Sequence, residues 1–484
     1  MKPNLTLLFG ARYQFNGVPF EADNNFSNLF TNPSGAAPFT FSVVGPGTGH
    51  LLYNNDFSNL EPRVGFNWDP WKNGRTSIRA GFGMFHDRIF GNLFGNARGN
   101  PPFQQTYFSI PFTTPGGTPL PSTQISTPVV EDGAGITPVL FANNLRMPVT
   151  ENWNFGVQQE LAKNLTLEIN YVGTRGLHLL RVVDGNPPNP ALVAQHLAAG
   201  VPASDLQFAS LYFGDASTLS VLNNAFWQAS LTQSNANSYY HGLQANLTRR
   251  LSHGLQVQAA YTYSHSIDDG NDPIDAAAGA RNYPRNSYNL KAERGSSDFD
   301  LRNRLVLNYV WQMPFGRGQS YVREGMLGKV LEGFSLSGIS TFQSGHPFEV
   351  FGDRDSEHTG LSSRLDLVGT PTIPAGSPLY QTGPTADAFG LAQFGFAGTV
   401  GRNRFTGPTY YNTDLVLAKS ATISERLKME LRWEVYNIFN RTQFAQPDNL
   451  LQDGASFGQS NSTLTRADAT TSARQMQLGL KLNF

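Results

Sequence analysis

The stretch Leu427-Lys428-Met429-Glu430-Leu431-Arg432-Trp433-Glu434-Val435 decides the fold class, because apolar and charged residues alternate along it without exception. A β-strand places successive side chains on opposite faces, whereas a helix would distribute these charges around its circumference. The last residues repeat the pattern, with apolar even positions from Met476 to the C-terminal Phe484. We therefore predict that the chain ends in strands with one apolar face and one polar face.

The same alternation, followed backwards, predicts twelve strands. In each of them the apolar residues keep one parity, as in Leu255, Val257, Ala259, Tyr261 and Tyr263. About ten residues in a tilted strand suffice to cross a bilayer. The predicted strands lie near 4–15, 60–70, 75–88, 150–161, 165–175, 240–251, 254–266, 300–313, 331–343, 411–422, 427–440 and 473–484.

The connections between these strands alternate strictly between short and long. The short links lie at 69–74, 162–164, 251–253, 314–333 and 424–426, and the long links at 16–59, 89–149, 176–239, 267–299, 344–410 and 441–472. Transmembrane barrels have short periplasmic turns and long extracellular loops, whereas a soluble sandwich gives no reason for this alternation. We predict an all-β, antiparallel up-and-down barrel in the outer membrane of a Gram-negative type bacterium, with a periplasmic C-terminus.

The composition agrees with a membrane barrel and excludes several other classes. Aromatic residues make up 12% of the 484 residues. Charged residues make up 15%, whereas soluble domains usually contain about 25%. No apolar run reaches the length of a transmembrane helix. Cysteine is absent, which excludes disulfides and thiolate metal sites, and the net charge of −1 gives no reason to expect nucleic-acid binding. A secreted β-sandwich or propeller is the soluble alternative.

Aromatic residues near the predicted strand ends are typical of the interfacial girdle of a membrane barrel. In a soluble fold the same residues would form the core. They are Trp68, Trp71, Trp153, Tyr171, Trp311, Trp433 and Phe439.

Six segments occur in an order that resembles a known family. They are 62–68 (PRVGFNW) with 76–83 (TSIRAGFG), 170–176 (NYVGTRG), 261–266 (YTYSHS), 298–304 (DFDLRNR) and 434–440 (EVYNIFN). Together they resemble the C-terminal barrel of TonB-dependent outer-membrane receptors, specifically the Oar-like branch. The resemblance spans nearly the whole chain, although each motif alone is only typical of barrel strands.

This resemblance implies a receptor that takes up a scarce ligand with energy relayed by TonB. Its members have a 22-stranded barrel, an N-terminal plug domain inside it and a TonB-contacting segment. Residues Met1–Leu7 run directly into a strand pattern without a signal-peptide core. We therefore expect residues 1–484 to be a partial barrel that holds no plug domain, TonB box or signal peptide. The expected partners are outer-membrane lipid, the plug and, through it, TonB.

The terminal strand that ends at Phe484 resembles the signal by which the outer-membrane assembly machinery recognises its clients. An amphipathic strand with an aromatic end is suited to pair with a sheet edge. The alternative is an ordinary last strand that happens to end in Phe.

Other local features allow two interpretations each. The same-face charges Lys428, Glu430, Arg432, Glu434 and Lys481 indicate either a wall that contacts the plug or substrate, or a solvated lumen. The acidic segment 265–275 is compatible with a Ca²⁺ site but lacks the spacing of an EF-hand, so a solvated loop is the simpler interpretation. Loop aromatics fit ligand binding or loop packing; they are Tyr212, Phe213, Phe226, Trp227, Phe389, Phe394 and Phe396.

The sequence gives no sign of catalysis. The nine histidines show no zinc spacing, and His265 and His346 fall at strand ends as polar groups. No nucleophile elbow or phosphate-binding loop is present. We predict a protein that is not an enzyme, with no catalytic, cofactor-binding or metal-binding residues.

The leading hypothesis is a TonB-dependent receptor or transporter barrel. The first alternative is a passive or structural twelve-stranded porin or adhesin, whose even strand number permits closure. The second is a soluble secreted carbohydrate-binding β protein. The loops carry no legible code for the ligand, so an oligosaccharide, a peptide, a chelated metal and a cofactor all stay open.

Overall fold

A computed structural model of the protein describes residues 3–31, 39–100, 102–103, 138–206, 229–270, 283–424, 427–464 and 472–484. Its main element is an antiparallel meander in which each of twelve strands pairs with the next one. They are β1 (Leu5–Tyr13), β2 (Leu60–Trp68), β3 (Thr76–His86), β4 (Val149–Ala162), β5 (Leu165–Asp184), β6 (Ser230–Ser252), β7 (Leu255–Asp268), β8 (Asn303–Gln312), β9 (Phe334–Gln343), β10 (Tyr410–Thr422), β11 (Lys428–Tyr436) and β12 (Gln475–Asn483). The predicted all-β, antiparallel class and the strand order are confirmed.

All short connections join the strands at one of their ends, here called the turn end. All long connections join them at the opposite end, here called the loop end. The short ones are 69–75, 163–164, 253–254, 313–333 and 423–427, and the long ones are 14–59, 87–148, 185–229, 269–302, 344–409 and 437–474. The alternation predicted from the sequence is therefore present in the structure.

The tightest turns follow from their residues. Residues His253 and Gly254 both have positive φ, 52° and 76°, as a two-residue hairpin turn of the primed type requires. A Cβ on Gly254 would lie 2.7 Å from the carbonyl oxygen of Gln312. The connection between β4 and β5 likewise uses Asn164 at φ 68°, a residue type that tolerates this conformation.

Strands β5 and β6 extend beyond their predicted bounds of 165–175 and 240–251. Their pairing continues to Asp184 and Ser230, but its register shifts between Gly176 and Leu179 and again between Leu179 and Arg181. Each bulge changes which side chains face which side, so the period of two is lost although the strand continues. Strand β9 begins at Phe334, three residues later than predicted, because a helix occupies the preceding residues.

The loops contain ordered elements. The main sheet gains two short strands, Val139–Phe141, parallel to β6, and Gly295–Ser296, against β7. Three small two-stranded antiparallel sheets pair Phe26–Thr31 with Phe39–Val44, Pro347–Phe348 with Phe405–Thr406, and Leu365–Leu367 with Phe389–Leu391. The helices are α1 (Gly91–Gly95), α2 (Pro190–Ala198) and α3 (Gly325–Leu331), with 3-10 turns at Asn96–Gly99, Ala203–Asp205, Leu290–Glu293, Ala386–Ala388 and Leu451–Ser456.

No helix in the described part of the chain is long and apolar enough to cross a membrane.

Within the described residues, every buried apolar side chain lies in a long loop or at the loop end of a strand. One cluster around Leu93 and Phe141 joins the first two long loops, and another around Leu365 and Phe389 joins the last two. The sheet itself has no core. Its apolar face is exposed, as shown by the 90% exposure of Phe9 and 76% exposure of Leu478.

The predicted position of seven aromatic residues near strand ends is confirmed for four of them. Trp68, Trp71 and Trp311 lie at the turn end, and Phe439 lies at the loop end, where Tyr411 stacks between Phe342 and Phe439 with centroid distances of 4.5 and 5.6 Å. The remaining three, Trp153, Tyr171 and Trp433, lie within strands rather than at their ends.

Strands β1 and β12 are the two edges of the sheet, and no pairing between them is found among the described residues. The predicted total of 22 strands stays a prediction.

Candidate functional site

The polar face of the sheet, here called the wall, is the first candidate surface. The register pairs Glu430 with Lys481 and Glu434 with Gln477, so the five predicted charges share this face. They pair along strand β11: the Arg432 guanidinium lies 2.8 Å from Glu434 and 3.7 Å from Glu430. Glu434 also accepts hydrogen bonds from Gln477 (2.9 Å) and Tyr436 (2.7 Å). Glu430, Arg432 and Glu434 therefore form a connected row on this face.

Amide side chains dominate the rest of the wall. They are Asn152, Asn154, Asn170, Gln244, Asn246, Gln258, Asn308 and Gln343, which the register places on one face from β4 to β9. Some bond to neighbouring strands, as in the 3.3 Å bond from Gln258 to Asn246. Because amides both donate and accept, this wall is suited to contact polar partners of many kinds.

A depression of about 490 Å³ lies on the wall between β7 and β11. Its lining combines the polar Gln258, Asn308 and Asp414 with the apolar Val310 and Ile339. Val310 is 40% exposed and Ile339 is 53% exposed. This small apolar area within a polar wall is a surface that a protein partner would cover favourably.

A buried ionic network holds the loop end together. The Arg364 guanidinium lies 2.6 Å from both Glu293 and Glu349. Arg402 pairs with the Asp268 carboxylate, and Arg181 lies 2.7 Å from Asp269. All three arginine side chains are at most 8% exposed. Such pairs place charge in a low-dielectric region, which is tolerated only because both partners are present.

The network bears on the acidic segment 265–275 through Asp268 and Asp269. Both pair with arginines, and their side chains are 10% and 22% exposed, so these two carboxylates are not simply solvated. Asn271, Asp272 and Asp275 lie outside the described residues. Among the described residues, no three side chains of the metal-binding types form a cluster.

The two histidines singled out by the sequence make polar contacts. His265 Nδ1 lies 3.0 Å from the Asp300 carboxylate, and its Nε2 lies 2.9 Å from Arg302. His346 accepts a 2.8 Å hydrogen bond from the Gly407 N–H through its backbone carbonyl.

The described loop aromatics divide between packing and exposure. Phe389 is buried against Phe405 and Phe457 with edge-to-face geometry. Phe394 stacks on the His358 ring at 5.5 Å, whereas Phe396 is 66% exposed. The other four predicted aromatics, Tyr212, Phe213, Phe226 and Trp227, lie outside the described residues.

Two features of the loop end have no counterpart in the sequence analysis. A polar cavity of about 330 Å³ is lined by Asn144, Arg146, His178, Gln233 and Asn235 among others. Burial raises the pKa of the Asp355 carboxyl to about 7, although its oxygens accept hydrogen bonds from the amides of Thr359 and Gly360. The cavity joins segments that are distant in the sequence, whereas the hydrogen bonds to Asp355 come from residues four and five positions further along the chain.

The strands form a meander with an exposed apolar face and a polar wall, and the long loops all lie at the loop end. This is the architecture of an outer-membrane β-barrel. The chain belongs to this class: the family model described as "Outer membrane beta barrel domain" matches residues 1–477. The protein is therefore an outer-membrane protein.

The comparison with solved structures gives matches to outer-membrane transporters at low identity. The transporter YddB from Escherichia coli has 11% identity and a TM-score of 0.44, over 89% of this chain and 41% of that one. The ferripyoverdine receptor of Pseudomonas aeruginosa has 12% identity and a TM-score of 0.43, over 99% and 36%. The ferric-catecholate import receptor Fiu from E. coli has 10% identity and a TM-score of 0.40, over 100% and 42%. The chain thus spans less than half the length of these structures. A comparison with the curated proteins gave no match.

Proposed function

We propose that this chain forms part of the barrel of a TonB-dependent outer-membrane receptor of the Oar-like branch, which imports a scarce ligand. The observation that carries this proposal is the wall: it is polar across the sheet, yet exposes Val310 and Ile339 where a partner is needed to cover them. A plug domain inside the barrel supplies that cover, and the plug is the element through which TonB acts.

The unpaired edges of the sheet support a larger barrel. Edge strands expose unpaired backbone groups, which a bilayer cannot hydrogen-bond, so β1 and β12 need partner strands, and among the described residues they do not pair with each other. A 22-stranded receptor barrel provides them. In this arrangement the loop end faces outward and the C-terminus is periplasmic.

The loop end is where we expect the ligand to bind first. The cavity beside Arg146 and His178 offers a guanidinium, an imidazole and several amides, which favour a hydrophilic ligand with anionic or hydroxyl groups. An oligosaccharide, a peptide and a chelated metal all fit this description.

The plug contact is tested with a single cysteine, since the natural chain has none. An Ile339→Cys variant is expressed both as this chain and together with the coding sequence upstream of it, and outer membranes are treated with a soluble maleimide. We expect Cys labelling at 339 to fall strongly in the longer protein. Phe396→Cys in an exposed loop is the control and stays reactive in both. Equal reactivity at 339 in both proteins would refute a plug docked on this wall.

The alternative is a passive twelve-stranded pore or adhesin, which the even strand number permits. It predicts that the purified chain alone, in a planar bilayer, gives a steady conductance from a closed barrel. Our proposal predicts no stable single-channel conductance from the chain alone. Membership of the outer-membrane family argues against the soluble carbohydrate-binding alternative.

A further inference from the structure

The connection between β8 and β9, residues 313–333, differs from the other connections at the turn end because it includes the helix α3. On a helical projection, Met326, Leu327, Val330 and Leu331 form one continuous apolar arc. Three of them are strongly exposed: Met326 is 84%, Leu327 is 68% and Val330 is 53% accessible. An amphipathic helix normally buries such an arc, so this one presents it to something outside the chain.

The orientation of α3 results from a glycine contact. Gly328 is the buried residue of the helix, and a Cβ at this position would lie 2.8 Å from the carbonyl oxygen of Val322. The helix therefore packs its glycine side against residues 322 and 323, and its apolar arc points away from the protein.

The surroundings of α3 connect it to the lipid-facing side of the sheet. Trp311 belongs to the apolar parity of β8, and a chain of ring contacts runs from it to Phe315 (6.5 Å) and on to Tyr321 (6.0 Å). Lys419, on the same face of β10, donates hydrogen bonds to the carbonyls of Val330 and Glu332 at the end of the helix. The helix thus lies beside the apolar face of the sheet and not over the wall.

The charges of this turn are placed as at a lipid headgroup layer. Arg317, Arg323 and Lys329 are exposed, and Lys329 lies on the polar side of α3. Two acidic residues, Glu324 and Glu332, leave a small basic excess. Basic side chains around an exposed apolar arc are typical of helices that lie in the plane of a membrane surface.

We propose that α3 is an interfacial helix that inserts Met326, Leu327 and Val330 into the glycerophospholipid leaflet at the turn end of the barrel. Its occupant is lipid, because the apolar arc continues the lipid-exposed surface of an outer-membrane barrel. Only the assignment of this leaflet as the periplasmic one rests on the proposed function. Insertion would fix the depth and tilt of β8 and β9, with the Trp311–Tyr321 rings at the headgroup level.

The test uses single cysteines labelled with an environment-sensitive fluorophore. Met326→Cys and Leu327→Cys report on the apolar arc, and Lys329→Cys reports on the polar side of the same helix. Leu478→Cys, on the lipid-facing side of β12, shows independently that the sheet is inserted. The full chain is refolded into phosphatidylethanolamine–phosphatidylglycerol vesicles containing brominated lipid, with iodide as the aqueous quencher.

We expect the labels at 326 and 327 to emit to the blue of the label at 329, with at least about twofold stronger quenching by brominated lipid, as for a side chain inserted at a membrane interface. Quenching of 326 and 327 by iodide to the same degree as 329, while 478 reports lipid, overturns the proposal. Protection of 326 and 327 from both quenchers also overturns it, because it identifies a protein partner instead of lipid. If 478 also fails to report lipid, the membrane assignment of the whole sheet is wrong, which is a separate failure.

Discussion

Arg364 and Glu293 lie 71 positions apart in the chain, yet their charged groups meet at 2.6 Å with both side chains at most 8% exposed. The pair joins the long loop after β7 to the long loop after β9. Arg364 also pairs with Glu349 of its own loop. Other contacts join the same two loops, among them the hydrogen bonds from Asn286 to Glu357 (3.0 Å) and from Thr359 to the Arg285 carbonyl (2.8 Å), so the Arg364–Glu293 pair is one part of a larger contact between the loops.

Glu293→Gln should loosen the loop end. It leaves the buried Arg364 with Glu349 as its remaining carboxylate partner, so the cost should lie below the value of about 3–5 kcal/mol for a buried charge that loses its only partner. We expect faster proteolysis within residues 344–409 in outer-membrane preparations. Arg432→Gln is the control, since this 45% exposed wall residue contributes at most about 1 kcal/mol. Unchanged loop proteolysis in Glu293→Gln would show that the network does not hold the loops.

Gly173→Val should destabilise the sheet. A Cβ at Gly173 would lie 2.2 Å from Cε2 of Trp153 on the neighbouring strand, so the indole must leave its place. Forced repacking of this kind costs about 1–3 kcal/mol. The measurement is the temperature at which the folded band disappears in gel electrophoresis of unheated and heated samples. Gly10→Val, whose Cβ meets nothing within 4 Å, should leave that temperature nearly unchanged.

The loop end should be more stable at pH 5 than at pH 8. Burial raises the pKa of Asp355 to about 7 in the folded protein, so the folded state retains a proton that the unfolded chain loses near pH 4. The contribution of this group is therefore complete below pH 4 and is lost as the pH rises to about 7. We expect the Ser363 amide, which donates to the Arg354 carbonyl, to exchange faster at pH 8 after correction for intrinsic rates.

Asp355→Asn provides the matched comparison for that measurement. It has no charge to gain, so the pH dependence of Ser363 protection should largely disappear. Equal pH dependence in both proteins would assign the effect to another group.

Phe484→Ser should reduce the amount of protein assembled in the outer membrane without changing its synthesis. Phe484 is 98% exposed and makes no packing contribution that would explain such a loss. Recognition of the last strand by the assembly machinery would explain it. Phe20→Ser, at a 60% exposed loop position, is the control. Normal assembly of Phe484→Ser would show that Phe484 is not part of a recognition signal and that β12 is an ordinary last strand.

The sheet could be predicted from the sequence because its determinants are local. Alternation along each strand, such as 427–435, fixes which side chains share a face, and the lengths of the links fix the order of pairing. Prediction failed where a local rule was broken: the bulges near His178, which has φ 54°, interrupt the period of two although β5 continues to Asp184.

The loop end could not be predicted, because its contacts join segments that no local pattern relates. Arg402 and Asp268 are separated by 134 positions, and neither belongs to a motif. The acidic segment 265–275 is compatible with a Ca²⁺ site by its sequence, but in the structure Asp268 and Asp269 pair with Arg402 and Arg181 from distant parts of the chain. A count of nearby carboxylates does not reveal whether their partner is a metal, water or a distant guanidinium.

Among the described residues, buried apolar side chains are confined to the loop end. The loop end and the sheet therefore depend on different surroundings for their stability, water for the loop end and hydrocarbon for the sheet. The loop end excludes water in the usual way, so its unfolding should show the positive heat-capacity change and cold sensitivity of a small globular domain. The strands bury little against each other, and their stability depends on the surrounding hydrocarbon. A change of detergent or lipid should therefore shift the melting temperature of the sheet and leave the loop end nearly unaffected. Cooling to near freezing should instead destabilise the loop end and leave the sheet nearly unaffected.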